Sequence, residues 1–589
     1  MKILTNQRYC ITLFKALLVL LVSVFFISSC GGAKSSAPVV LSAPTTPVNV
    51  TLSYDVNQIN FSWDTTNGAT SYQLLSQLTP TGEFVAIQEA TISTTTSLTI
   101  PVHLHNWVTA QYKIRSCNSL GCIDTNAIAV KNQSANAIGY FKASNNNAGD
   151  EFGTAVALSG DGNTMAIAAP KEDSFNVSVL DDNSAIDSGM VYIYKKINNK
   201  WQFQQYIKPS LIQQGAEFGA ALALDDTGAT LIVGQHIGSS ASLTGMAYIF
   251  ELTNGQWSQI KSFSALKPLA NDYFGFSVAI SGDGNTVVVG APGLNANLPT
   301  SRGELLVLKK INFTWQRSGT QISASDSNDY EYFGISVDVN YDGTRIISAK
   351  QFRASSVYVY DYKLLTGNTI ETWVEQKISA ELILSSTNDN SGFGIVSIDY
   401  SGDVIAFAQI GKQVQIFNNE LDLVSNTKSW VNTLRYLSKN PGGVFGGGES
   451  FSALSIGTGA AVSISAIRGS VVLSGDGKSL LVGAASEATN KKGVFTGFSA
   501  SGTQELNGFY GASYLFQATA DNQWLEKRFI KSANTDTNDS FASAVAISND
   551  GTSIAIGAIG ESSDTIGIAV VNSENDNNFN SRSGAVYVF

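Results

Sequence analysis

The sequence predicts an all-β protein, a seven-bladed β-propeller preceded by a small β-sandwich. Two observations identify the propeller and one the sandwich. The pair Phe-Gly, followed by a Gly-Asp-Gly-like turn and then Gly-Ala-Pro or a variant, recurs at Phe152, Phe218, Phe274, Phe333, Phe393, a degraded Ile467-Arg468 and Phe541. These positions lie 66, 56, 59, 60, 74 and 74 residues apart, periods that belong to solenoids and propellers. Upstream, a stretch of about 85 residues shows short strands at sandwich spacing around Trp63.

One repeat decides between solenoid and propeller. After Phe274, Ser277-Val-Ala-Ile-Ser281 alternates, Gly282-Asp-Gly-Asn285 turns, and Thr286-Val-Val-Val-Gly290-Ala-Pro292 runs back, a hairpin signature. Gly303-Glu-Leu-Leu-Val-Leu-Lys309 supplies a third strand, and a fourth starts at Thr314-Trp315. Four strands per unit make a propeller blade. Gly-Ala-Pro and its variants, Ala168-Ala169-Pro170 and Gly483-Ala484-Ala485, place small residues where converging blades would crowd.

The two ends of the repeat region complete one another. Tyr140-Phe-Lys142 matches the fourth-strand endings Tyr206-Ile-Lys208 and Phe529-Ile-Lys531, yet no first three strands precede it. Ser583-Gly-Ala-Val-Tyr-Val-Phe589 is a third strand without a fourth. A closed ring follows, in which residues near 138–144 lie on the outside of the last blade and cover its free edge. The order Phe-Gly, Ser-Gly-Asp-Gly-Asn, Gly-Ala-Pro, Gly-x-Val-Tyr-x-Tyr and Trp resembles the FG-GAP family, the repeats of the integrin α-chain propeller, and especially its bacterial secreted version, over residues 138–589.

Blades of that family often hold calcium in the first hairpin with a D-x-D-x-D-G-x-x-D loop, because a hard cation needs several converging oxygens. This sequence largely lacks them. The first ligand position is Ala157, Ala223, Ala279, Val472 and Ala546 in five repeats, so those turns read as plain hairpins and no cofactor is expected. Asp338, Asn340 and Asp342 keep three candidate calcium ligands in the fourth repeat, with Ile346 where the closing carboxylate belongs. The fifth repeat has Asp399, Ser401 and Asp403, with Val404 instead of glycine.

Residues 1–29 read as a signal peptide: Lys2, Arg8 and Lys15 precede an apolar run from Ala16 to Ile27, shorter than the roughly 20 residues that span a bilayer. Its Ser28-Ser29-Cys30-Gly31 ending resembles a bacterial lipobox, which implies lipidation of Cys30, an exported, membrane-anchored protein and, in a Gram-negative envelope, sorting to the outer membrane or cell surface. Residues 30–46, rich in Gly, Ser, Ala, Pro and Thr, read as a tether. Residues 47–131 hold strand patterns at Asn60-Phe-Ser-Trp63, Ser71-Tyr-Gln-Leu-Leu75, Ser97-Leu-Thr-Ile-Pro101 and Gln111-Tyr-Lys-Ile-Arg-Ser116. On Trp63, Tyr72 and Tyr112 this segment resembles a fibronectin type III domain, an immunoglobulin-like sandwich. Cys117 and Cys122 are the cysteine pair of the mature domains, and export makes them a disulfide expected to staple the turn between the last two sandwich strands at about 2 kcal/mol.

Chemistry is sparse. The formal charge of −11 becomes −14 once Lys2, Arg8 and Lys15 are removed, which argues against nucleic acid and anionic surfaces as partners. Three histidines leave most hydrolytic and metal schemes short of parts. His103 and His105 are spaced to share one face of a strand, and isolated His236 reads as a wall residue. No G-x-S-x-G or H-E-x-x-H occurs, and Gly477-Lys478-Ser479 is a blade turn that only imitates a phosphate loop. The informative variation is loop length, at 171–188, 440–466, 486–508 and 560–582, which the propeller topology brings to one face. Phe495, Phe498, Phe509 and Tyr510 are candidate contact aromatics there. The resulting expectation is a non-enzymatic adhesion or interaction lipoprotein that binds an extracellular or envelope protein or glycan. A structural envelope scaffold and a polysaccharide hydrolase or lyase are the alternatives.

Overall fold

In the computed structural model, residues 42–589 are described apart from 93–95, 104, 106–107, 131–132, 180–181, 237–243, 267–271, 294–302, 320, 327–331, 351–355, 365–370, 380–393, 410–412, 423–426, 438–470, 498–508 and 571–576. The all-β prediction holds: strands dominate, and the β-propeller architecture is present. The sequence's alternating apolar residues become strands whose buried sides face neighbouring sheets.

Residues 51–129 form two antiparallel sheets. One is Thr51–Asp55, Gln58–Ser62 and Ser97–Pro101; the other centres on Ser71–Gln77 and Gln111–Asn118. Between them, Trp63 meets Tyr72 edge-on at 5.4 Å and Phe61 meets Tyr112 at 5.0 Å. Cys117 and Cys122 are directly opposed in a hairpin and disulfide-bonded, with Cα atoms 4.1 Å apart. The short strand Ile128–Ala129 follows, so the bridge does not join the last two strands.

Seven further sheets succeed one another along the chain. Their first strands, Val156–Leu158, Phe218–Leu224, Ser277–Ile280, Ser336–Val339, Gly394–Ile398, Val471–Leu473 and Phe541–Ile547, each adjoin the next, and the seventh adjoins the first. The ring is therefore closed, and the sheets are numbered here as blades 1 to 7. Gly139–Lys142 pairs antiparallel with Ala585–Val588 as the fourth strand of blade 7. The expected position of 138–144 on the outside of that blade needs correction. Gly567–Val570, from the 560–582 insertion, pairs outside Gly139–Lys142 as a fifth strand. Blade 6 does the same, with Val494–Thr496 of the 486–508 insertion against Trp524–Ile530. An unpaired strand edge is a liability, and both insertions cover one.

At one end of the ring lie the hairpin turns. There the seven first turns hydrogen-bond head to tail: Gly160 N–H to Asp226 O (3.0 Å), Asp226 to Gly282 (3.1 Å), Asp283 to Tyr341 (3.0 Å), Tyr341 to Tyr400 (3.2 Å), Tyr400 to Gly475 (3.0 Å), Asp476 to Asn549 (3.0 Å), and Asn549 back to Gly160 (2.9 Å). The sandwich docks at this turn end. Asn57 Nδ2 donates to Val588 O (3.0 Å), Gln58 Nε2 to Asn199 O (2.8 Å), and His105 Nε2 bonds Gly551 O (2.9 Å), while Arg528 Nε donates to His105 O. One apolar cluster runs from Ile59 and Val102 to Ile554 and Phe589, so the sandwich is fastened to the ring rather than held off it.

Glycines explain how closely the blades approach. A Cβ on Gly189, Gly245, Gly303, Gly511 or Gly584, each leading a third strand, would lie 2.0–2.1 Å from the carbonyl oxygen of the next blade's Phe218, Phe274, Phe333, Phe541 or Phe152. The Gly584–Phe152 junction that closes the ring thus repeats the contact used elsewhere. Gly303→Ala is expected to destabilise the propeller by about 3 kcal/mol, combining left-handed backbone (φ +75°) with this overlap. Gly255→Ala, at φ +80° with nothing within 4 Å, supplies the control. Calorimetry should show a clear fall in Tm for the first and a small one for the second; equal shifts would contradict the packing argument.

Candidate functional site

The end of the ring opposite the docked sandwich carries the connections from second to third strands and between blades. Among the long insertions, 440–466 and 498–508 lie outside the described residues, as does Phe498. The remainder share one feature, a lysine at the end of a fourth strand paired in the interior with a glutamate at the root of the insertion. Lys208 meets Glu172 at 2.8 Å, Lys531 meets Glu487 at 2.8 Å, and Lys142 meets Glu561 at 2.6 Å, all essentially shielded from solvent. Burial pulls each lysine below its ordinary pKa, opposed by the facing glutamate.

The pairs are stitched across blades. Three residues beyond Lys531, Asn534 Nδ2 donates to Glu561 Oε1 of blade 7 (3.3 Å) while its Oδ1 accepts from Tyr587 (2.5 Å). Three residues beyond Lys142, Asn145 Nδ2 donates to Glu172 of blade 1 (2.9 Å) and its Oδ1 accepts from Tyr192 (2.6 Å). A buried ion pair costs desolvation on both sides and holds only when its remaining polar atoms are satisfied, which Asn534 and Asn145 provide at Glu561 and Glu172 and Thr489 Oγ1 provides at Glu487 (2.9 Å). The three longest described insertions, on the consecutive blades 6, 7 and 1, therefore rise from rigid roots. Motif searches for catalytic or metal residues miss this clamp, whose signal is the recurrence of Lys142-Ala-Ser-Asn145 and Lys531-Ser-Ala-Asn534, and of Ala169-Pro-Lys-Glu172, Ala484-Ala-Ser-Glu487 and Ala558-Ile-Gly-Glu561.

The described ones among the expected contact aromatics, Phe495, Phe509 and Tyr510, do not form the face. Phe495 belongs to the added edge strand of blade 6 and packs on Phe529, 6.1 Å away. Tyr510 is buried beneath Lys531, and Phe509 is half-buried. Outward-facing apolar side chains occur instead on the insertions of blades 1 and 7, Phe175 at 54% and Phe579 at 79% exposure. Nearby, burial and the charge of Glu172 push the Asp150 carboxyl up to about 8.

The histidines serve packing. His105 does not share a strand face with His103, because the strand ends at Pro101; it is fully buried at the docking interface and burial lowers its pKa to about 3. His236, at the end of a second strand, stacks on Phe276 at 5.5 Å and lies 3.6 Å from Glu217.

The three candidate calcium ligands diverge. Asp338 turns to the next blade, accepting from Ser397 Oγ (3.0 Å) and Ile398 N–H (2.9 Å), and burial raises its pKa to about 6. Asn340 and Asp342 bond each other (2.9 Å) and the backbone of Thr344. Equivalent pairs build the other turns, Ser159 with Asp161 (2.5 Å) and Asp399 with Ser401 (2.5 Å), so hydroxyl and carboxylate satisfy the donors that would otherwise be orphaned. Ala157, Ala223, Ala279, Val472 and Ala546 line a central channel of about 370 Å³. Tyr400 and Asn549 converge on Asp226 at its turn end, the tyrosine hydroxyl at 3.0 Å. No group of three or more His, Cys, Asp or Glu is arranged to hold a metal among the described residues.

This architecture defines a β-propeller with a docked sandwich. The FG-GAP repeat model matches residues 139–194 and 257–304, and with the fold it supports an FG-GAP β-propeller protein. No curated protein matches the chain. Among solved structures it is similar to a periplasmic gluconolactonase of Pseudomonas aeruginosa (12% identity, 78% of this chain and 96% of that one, TM-score 0.37). It is also similar to Sqt1 from Chaetomium thermophilum (13%, 72% and 81%, 0.38) and to the Cps50 (Swd1) β-propeller domain of Myceliophteria thermophila (8%, 74% and 96%, 0.38). At these TM-scores no activity or partner follows from them.

A carboxyl raised by burial holds a proton in the folded state that the unfolded chain has released, so between its ordinary 3.8 and about 8 Asp150 makes stability fall as pH rises. Asp150→Asn, which keeps the acceptor for Asn147 N–H, should flatten the decline of Tm across that window. An unchanged slope in melts from pH 5 to pH 8 would show that Asp150 is ionised throughout.

Proposed function

We propose that the protein is an envelope- or surface-tethered interaction module whose propeller binds a protein or glycan through the loop end of blades 6, 7 and 1. The propeller fold supports an interaction role in general, since rigid scaffolds carry binding on their connecting loops. The observation that carries the reading is the coincidence of long insertions with buried Lys–Glu roots on the end left open by the sandwich. A pre-ordered surface loses less conformational entropy on binding than a mobile one. In this reading Cys30 bears the lipid anchor, residues 30–46 are the tether, and the fibronectin type III-like sandwich presents the open end away from the membrane.

An envelope scaffold that contacts neighbouring subunits is the second reading, favoured by the exposed apolar side chains of blades 1 and 7. The lipid-free chain from Gly31 to Phe589 should bind saturably on a glycan and extracellular-protein array. Replacing 175–184 by a short Gly-Ser link should abolish that signal. Silence from folded protein, with and without calcium, would turn the assignment to the scaffold.

A further inference from the structure

The loop end of blades 7 and 1 combines exposed apolar side chains with a surplus of carboxylates. Phe175, Val177, Val179, Ile186, Leu211 and Phe579 project outward, each more than two-fifths exposed. Their loops are tied together: Asn176 and Val179 form a bridge, Asn147 Nδ2 reaches Asn183 Oδ1 (3.5 Å), Asn580 Nδ2 donates to Asn146 O (2.8 Å), and Gly215 N–H donates to Ile186 O (2.8 Å). Beneath them, the clamps of Lys142 and Lys208 hold both insertions in place. A surface that exposes this much hydrocarbon on fixed loops is built for contact.

Charge selects the partner. Asp173, Asp182, Asp187 and Asp564 lie between these apolar groups, partly or fully exposed. The cations of the same loops are already engaged, with Lys171 and Arg582 both on Glu151 at 2.9 and 2.8 Å, and Lys142 and Lys208 buried against glutamates. We infer that this patch docks a cationic polypeptide segment in which Lys or Arg alternates with large apolar residues, the apolar groups seated on Phe175 and Phe579 and the cations facing the carboxylates. Such pairing gives orientation and a salt-dependent encounter rate, while the aromatic anchors carry the affinity. The inference rests on the binding role of the loop end and names its partner class.

Fluorescence anisotropy with a peptide of alternating Lys and Leu, its Glu–Leu counterpart and a Lys–Ser peptide tests it on the full lipid-free chain. The Lys–Leu peptide should bind, weaken as salt is raised, and lose about tenfold or more in affinity on Phe175→Ser/Phe579→Ser. Phe313→Ser, at a fully exposed turn on the opposite end, should change nothing. Equal binding of the Glu–Leu peptide, indifference to the double substitution, or no binding would overturn the proposal. Array binding that survives Phe175→Ser/Phe579→Ser would overturn it while leaving the broader reading intact. Self-association in ultracentrifugation, abolished by the same pair without peptide binding, would overturn it in favour of a second copy as the occupant.

Discussion

Pairing of Gly139–Lys142 with Ala585–Val588 is the contact on which the propeller depends. It joins segments more than 440 positions apart, turns the edge of blade 7 into an interior ladder, and brings Gly584 against Phe152 as at the other blade junctions. Without it, the ring would close only through the contacts between blades 7 and 1, such as Asn549 N–H to Gly160 O (2.9 Å) and Phe152 N–H to Ser583 O (2.9 Å). Long-range pairing of this kind is entropically expensive to form, and its stability comes from what accompanies it. Tyr140 against Tyr587, Phe141 against Tyr194, and the Lys142–Glu561 clamp all lie at this seam.

The same seam organises the two ends of the molecule. On the turn end it sits beside the docked sandwich, where Asn57 reaches Val588 and the apolar cluster passes from one domain to the other. On the loop end it carries Asn145, whose amide passes from blade 7 to Glu172 of blade 1. Among the described residues, blades 6, 7 and 1 thus carry both the cross-blade stitching and the longest insertions, and the insertions of 6 and 7 spend part of their length as edge strands. Rigidity and display are provided by the same residues.

Much of this was legible in the sequence because propeller repeats place equivalent residues at equivalent positions. The Phe-Gly recurrence, the hairpin from Ser277 to Pro292 and the fourth-strand match of Tyr140-Phe-Lys142 coincide with strands of the blades, and Trp63, Tyr72 and Tyr112 lie in the core of the sandwich. What stayed hidden depends on direction rather than order. Phe495 reads as an exposed loop aromatic until its segment is seen to return along a blade edge. Asp338 looks like a ligand until its carboxylate is seen to point across to Ser397. His105 reads as sharing a strand face with His103 because nothing local reveals that Gly551, hundreds of positions away, supplies its partner. Lys142 aligns with other fourth-strand ends, but its partner Glu561 in the same blade lies more than 400 positions away in the sequence.

Amide hydrogen exchange read by mass spectrometry tests ring closure most directly, since exchange reports the free energy of local opening. Peptides covering 139–142 and 585–588 should exchange together and as slowly as the central strand Thr286–Ala291. Rapid exchange at 139–142 with protection retained elsewhere would mean that the ring is open at blade 7, and the account of its loop end would lose its foundation.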